Sequence, residues 1–218
     1  NRHASGDLPG QLARGLLGTK VKEHKLRNNP LLALDPGDTV ELGHFDVTAF
    51  RIGHSIPDAM GLRIRTPFGD IIHTGDFKFD HTPVDGKPSD FQALARFGDE
   101  GVLCLMSDST RAENPGYTPS ERTVGEAFRE IMEGLQGRVI VATFASNIAR
   151  IQQVYEASQT FGRRVAVIGR SMEQNTRIAT DLGYLTPPTT GLVAKDRIKD
   201  MAPAGLTIAT TGAQGEPM

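Results

Sequence analysis

Polar and apolar residues alternate over short stretches in the first half of the chain and gather into compact apolar runs in the second. Leu12, Leu16, Leu17 and Val21 fall at helical spacing, which predicts a helix over 11–23. Alternation with period two predicts strands over 39–42, 45–52 and 61–66. Pro67-Phe68-Gly69-Asp70 reads as a turn, after which Ile71-Ile72-His73-Thr74 resumes as a strand. A hairpin-rich sheet of this kind needs helices to cover its faces.

After about Asp108 the rhythm changes. Pro119-Ser120-Glu121 opens a predicted helix running to about Leu135, with a capping hydroxyl and an early acid. Val139 to Thr143 reads as a buried-type strand. Asn147 is expected to cap a helix through Ile148, Ile151, Val154 and Tyr155 that ends at Gly162. Val165 to Ile168 is a further strand, Ser171 is expected to cap a helix closed by Gly183, and Leu206–Thr210 is the last strand. Short apolar strands alternating with amphipathic helices indicate βαβ units and a parallel sheet. Glu113-Asn114-Pro115-Gly116 marks the change of pattern, so two domains are expected, 1–112 and 113–218.

Composition adds little. Of the 218 residues 38% are hydrophobic and 23% charged, and the net charge is -2, so no strong basic field advertises a polyanionic partner, although a local groove can still be basic. The single cysteine, Cys104, lies in the apolar run Val102-Leu103-Cys104-Leu105-Met106 and is expected to be a buried, inert thiol. One cysteine allows no internal disulfide, which fits a reducing compartment. No apolar run approaches the ~20 residues that span a bilayer, and the N-terminus shows no signal-peptide pattern. No membrane association and a cytoplasmic location are expected.

The chemistry-bearing residues are His54 and Asp76. His54 follows a predicted strand in His54-Ser55-Ile56-Pro57-Asp58, and Asp76 follows another in His73-Thr74-Gly75-Asp76-Phe77. Imidazole and carboxylate together suit Zn²⁺ or Mn²⁺, and a carboxylate can bridge two metals to activate water against a phosphodiester. Taken alone, a histidine at a strand end is more often a surface or hydrogen-bonded residue. Gly75 permits an unusual backbone beside Asp76. For His73, support of a neighbouring ligand is the best functional role. His24 and His44 read as surface or hinge residues, and no histidine lies beyond His81.

His54-Ser55-Ile56-Pro57-Asp58-Ala59 and His73-Thr74-Gly75-Asp76-Phe77-Lys78-Phe79-Asp80, followed by Thr82-Pro83-Val84-Asp85-Gly86-Lys87-Pro88, form a specific combination. Together with Ser107-Asp108-Ser109-Thr110, the stretch from Thr143 to Gln153, and Thr211 to Met218, they resemble the ribonuclease J family. The resemblance implies an α/β chain: a metallo-β-lactamase αββα sandwich portion followed by a βαβ parallel-sheet β-CASP domain, both incomplete. It implies 5′-to-3′ exoribonuclease and endoribonuclease activity in RNA processing and decay, by two-metal phosphodiester hydrolysis with Zn²⁺ or Mn²⁺. By motif, His54 matches a metal ligand, Asp76 the carboxylate shared by two metals, and Asp108 an acidic β-CASP residue that orients groups near the scissile phosphate. RNA, with a 5′-monophosphate, is the implied partner, and the intact protein is expected to be a homo-oligomer. The family's H-x-H-x-D-H motif and later histidine motifs have no counterpart here. The chain is therefore expected to be an internal segment, inactive alone.

In the second half, ligands of a parallel sheet sit beyond the carboxyl ends of its strands, and helix N-termini bind phosphate. Ser146, Asn147, Arg170, Ser171, Gly212 and Gln214 fall there and are candidates to line an RNA path or a 5′-phosphate pocket. The plainer alternative makes Asn147 and Ser171 helix caps, the glycines a turn, and Arg150 and Arg170 solvated. Two rival functions remain: another β-CASP nuclease acting on DNA or messenger-RNA ends, and a non-catalytic RNA-binding or assembly module.

Overall fold

The computed structural model describes residues 11–25 and 33–212. They form two compact units. One takes the described residues up to His54 with Asp58–His81 and Gly86–Thr118; the other takes Ser55–Pro57, Thr82–Asp85 and the described residues from Pro119 onward.

In the first unit helix α1 (Gln11–Glu23) precedes a meander of β1 (Thr39–Leu42), β2 (Phe45–Arg51), β3 (Met60–Thr66) and β4 (Gly69–His73). Helix α2 (Phe91–Glu100) then crosses over to β5 (Cys104–Met106), which pairs parallel to β4. The sheet order is β1-β2-β3-β4-β5. Because β3 runs antiparallel to both β2 and β4, strands β2, β4 and β5 all point the same way. Phe50, Ile52 and Ile72 from the sheet meet Ala93 and Phe97 of α2 in a core, with Phe50 and Phe97 edge to face at 5.5 Å. Gly61 has to be glycine: a Cβ there would lie 2.2 Å from Phe50 Cζ. Arg63 is buried beside this core, ion-paired with Asp70 and Glu100 and lying over the Phe97 ring. Asp90 caps α2 by accepting from Ala93 N–H at 2.8 Å.

Two expectations change here. Sequence periodicity did not predict α2 or β5 as elements. The apolar run around Cys104 is not buried: Cys104 is exposed, Leu103 is 61% and Leu105 63% exposed. The cause is position, since β5 is the last strand of its sheet and all three of its residues are exposed.

In the second unit β6 (Val139–Ala142), β7 (Arg164–Ile168) and β8 (Leu206–Thr210) form an all-parallel sheet in the order β6-β8-β7. Helices α3 (Arg122–Met132), α4 (Ile148–Thr160) and α5 (Arg170–Asp181) accompany it, and two 3₁₀ turns, Lys195–Asp200 and Pro203–Gly205, lie between α5 and β8. The fold is thus α/β with a parallel sheet. Helix α4 is the most enclosed: Ile148, Ile151, Val154, Tyr155 and Ala157 are all buried. Strand β6 is half exposed rather than buried, with Ile140 at 67%, because it is an outer strand. Ser171 does not cap α5. The helix starts one residue earlier, at Arg170, and its N-cap is Gly169 at φ 113°, whose N–H donates to Glu173 Oε1 at 3.3 Å.

Arg163, 1% exposed, locks this unit together. Its guanidinium donates to the carbonyls of Gly137 (2.9 Å), Leu206 (3.3 Å) and Leu135. It therefore ties the loop before β6 to the first residue of β8.

Candidate functional site

The shared direction of β2, β4 and β5 gathers the first unit's chemistry at one edge. His54 follows the carboxyl end of β2, Asp76 that of β4, and Asp108 that of β5. The register sets their level. Ala49 of β2 pairs with Leu62 of β3, which pairs with His73 of β4, so the segments beyond Arg51 and His73 emerge together. Gly53, immediately before His54, is held on both sides: its N–H donates to Ser89 Oγ at 2.8 Å and its carbonyl accepts from Lys78 N–H at 2.7 Å. Ile52 N–H to Ala59 carbonyl, at 3.2 Å, closes the base of the loop that carries His54. Asp58, in the same loop and 3% exposed, accepts from Leu12 N–H (2.9 Å) and Ala13 N–H (3.2 Å), so it anchors that loop to the start of α1.

Asp76 is exposed and follows Gly75, whose φ of 63° suits glycine. Thr74, 6% exposed, links the Asp76 loop to Asp108. Its hydroxyl donates to Gly75 carbonyl at 2.7 Å and accepts from Asp108 N–H at 3.1 Å. Its own N–H donates to Met106 carbonyl at 3.0 Å. Asp108 has its carboxyl held below the ordinary carboxylate range, first by the backbone N–H of Thr110 (2.8 Å), then by the Thr110 hydroxyl. Desolvation opposes this, while the Phe77 N–H and the charge of His54 reinforce it. A depressed value means that the interactions stabilising the ionised form are present above the unfolded value and lost as pH falls through the folded one. His73 is exposed, and its Nδ1 accepts from Gly75 N–H at 3.0 Å, which leaves Nε2 to carry the proton in the neutral ring.

Sequence reasoning missed Thr74, Ser89 and Asp58. The available signal was slight: small polar residues at strand ends, beside glycines with little room. Thr74→Val keeps the shape and removes the hydroxyl, leaving a buried N–H and carbonyl without that partner. It is expected to cost about 1–3 kcal/mol, with Thr74→Ser restoring most of it, as read from urea midpoints.

Imidazole and carboxylate at this edge are the right donor types for a transition metal. Their number is insufficient: among the described residues no group of three His, Cys, Asp or Glu could hold an ion. The described residues therefore fit part of a metal centre and do not complete one.

In the second unit the parallel strands end at Ala142, Ile168 and Thr210, and the loops beyond them share one edge. Asn147 caps α4, its Oδ1 accepting from Arg150 N–H at 3.0 Å. Ser146 precedes it, and its carbonyl accepts from Ile148 N–H at 2.9 Å. The Arg150 guanidinium is ion-paired with Glu121 rather than solvated. Arg170 and Ser171 are exposed in the first turn of α5, and Gly212 has φ 103°. Gln214 lies outside the described residues. No helix among the described residues is long and apolar enough to cross a membrane.

The chain shares its fold, at 15% identity and a TM-score of 0.57, with a crystal structure of a protein of unknown function from Enterococcus faecalis V583, over 94% of this chain and 52% of that one. Residues 136–218 match the family described as the β-CASP domain of ribonuclease J. The chain is 45% identical over 210 residues to ribonuclease J 1 of Streptococcus pyogenes serotype M3, covering 96% of this chain and 37% of that protein. It is 46% identical over 211 residues to ribonuclease J of Thermus thermophilus, covering 95% and 37%. Against ribonuclease J of Mycobacterium tuberculosis H37Rv it is 42% identical over 215 residues, covering 97% and 38%. The chain thus spans well under half the length of these relatives; over that span it is similar to ribonuclease J, and residues 136–218 match that family's β-CASP domain.

Proposed function

We propose that the chain is the part of a metal-dependent ribonuclease that carries one side of its phosphodiesterase centre. The supporting observation is the convergence of His54, Asp76 and Asp108 at the carboxyl ends of three co-directional strands. The relatives' name, ribonuclease, makes RNA the substrate of choice. In this reading His54 and Asp76 supply two donors to a centre of two Zn²⁺ or Mn²⁺ ions, and the remaining donors come from elsewhere in the full-length protein. Such ions, when bound, generate a nucleophile from water at neutral pH and offset phosphate charge. Asp108, kept ionised by Thr110, orients neighbouring groups; Thr74 holds Asp76 and Asp108 in register. The loops at Ser146, Asn147, Arg170, Ser171 and Gly212 line the path of the strand, where the positive ends of the helix dipoles favour a 5′-monophosphate. The intact protein acts as a homo-oligomer with both 5′-to-3′ exonuclease and endonuclease action, and the 218-residue chain alone turns over little substrate.

The test compares matched 5′-monophosphorylated RNA and DNA strands with the full-length protein. Hydrolysis of RNA that stops on chelation and returns with Zn²⁺ or Mn²⁺ is the expected result. Chelator-resistant cleavage, or a preference for DNA, would sink the proposal.

A further inference from the structure

Four rings run in series from the residue after Asp76. Phe77 packs against the first unit's core, and its ring lies 4.8 Å from that of Phe79. Phe79 lies 5.2 Å from Phe91, and His81 stacks on Phe91 at 5.3 Å with only 22° between the planes. An aromatic cluster that served packing alone would turn its last rings inward. Here Phe79 remains 44% exposed and His81 is exposed, while Phe77 and Phe91 anchor them from below. Rings held by partly buried, packed neighbours lose little freedom when a flat ligand stacks on them.

Position favours a nucleobase as that ligand. Phe79 follows Asp76 by three residues, so their Cα atoms are at most about 11 Å apart. That distance is on the scale of a nucleotide step or two from a phosphate at the Asp76 edge. Lys78 adds a positive charge between the two phenylalanines in sequence, and alternation of rings and cations is how sequence-tolerant single-strand sites are built. We propose that Phe79 and His81 form a stacking platform for an unpaired base of the RNA strand. The inference rests on RNA being the substrate of the Asp76 edge, and it adds where the strand's bases go. Stacking tolerates any base, so the platform grips the strand without reading its sequence.

The chain contains no tryptophan, so Phe79→Trp creates a single fluorescent reporter. With chelator present to keep RNA intact, a short single-stranded RNA should quench its emission saturably, whereas an abasic ribose-phosphate strand of equal length should not. Unmodified protein should bind the base-bearing strand about 10-fold more tightly than the abasic one, and Phe79→Leu should erase most of that difference. Equal affinity of unmodified protein for the two strands overturns the platform and leaves the ribonuclease reading standing. Absence of binding to either strand, with no RNA cleavage by the full-length protein, removes both.

Discussion

Asp76→Asn in the full-length protein is expected to reduce RNA hydrolysis by about 10³-fold or more, which is the scale of losing a charge aimed at the reacting centre. The substitution keeps size, removes the charge and turns one acceptor oxygen into a donor NH2. Asp76 is exposed on its loop, so stability should stay within about 0.5 kcal/mol of the parent. The loss should therefore appear in kcat under conditions where the protein is fully folded. Asp108→Asn should do less harm. The Thr110 N–H can still donate to an amide oxygen there, and Asp108 N–H keeps its bond to Thr74. Single-turnover assays on 5′-monophosphorylated RNA separate the two, because they report cleavage without product release. Unchanged kcat for Asp76→Asn would remove this residue from the reaction.

The second large effect concerns folding. Arg163→Met is expected to destabilise the second unit by about 3–5 kcal/mol. Methionine fills much of the volume but leaves the Gly137, Leu206 and Leu135 carbonyls without their donor. Arg163→Lys should fall in between, since an ammonium is a point charge and lacks the planar fork that reaches three acceptors at once. Urea unfolding followed by far-ultraviolet circular dichroism gives the difference as a shift in midpoint. A change below about 1 kcal/mol would mean that water replaces the guanidinium, and that its burial is not what the unit depends on.

Much of this architecture was legible in the residues, and the gaps have physical causes. Strands β1 to β3 were legible from period-two alternation in the residues, although burial alternates only along β3, where Gly61 and Arg63 are the buried positions. The helix of Ile148, Ile151, Val154 and Tyr155 was legible through its spacing and its Asn147 cap. The run from Val102 to Met106 was misread because hydrophobicity shows what a residue prefers, while burial depends on whether another layer covers it. Ser171 carried a capping side chain, but Gly169 made the turn two residues earlier through a backbone geometry that serine adopts poorly. At the site, His54 and Asp76 could be placed at strand ends, whereas Asp108 could not, because β5 carries no period-two signal. That they share an edge depends on strand direction, which requires knowing that β3 is an antiparallel partner to both neighbours and that α2 returns the chain parallel to β4. The Thr74 hydroxyl lies beyond sequence patterning altogether, since its role comes from distances between two loops.

The order β6-β8-β7 has a consequence for biogenesis. Among the described strands β8 lies between the other two and is made after both, so β6 and β7 leave the ribosome without their shared partner until Leu206–Thr210 has emerged. Arg163 likewise awaits the Leu206 carbonyl. During synthesis β6 and β7 thus stay unjoined until β8 arrives, with two apolar strands exposed to chaperones and proteases in the interval. A nascent chain stalled before Leu206 has its helices already made and its sheet not yet begun.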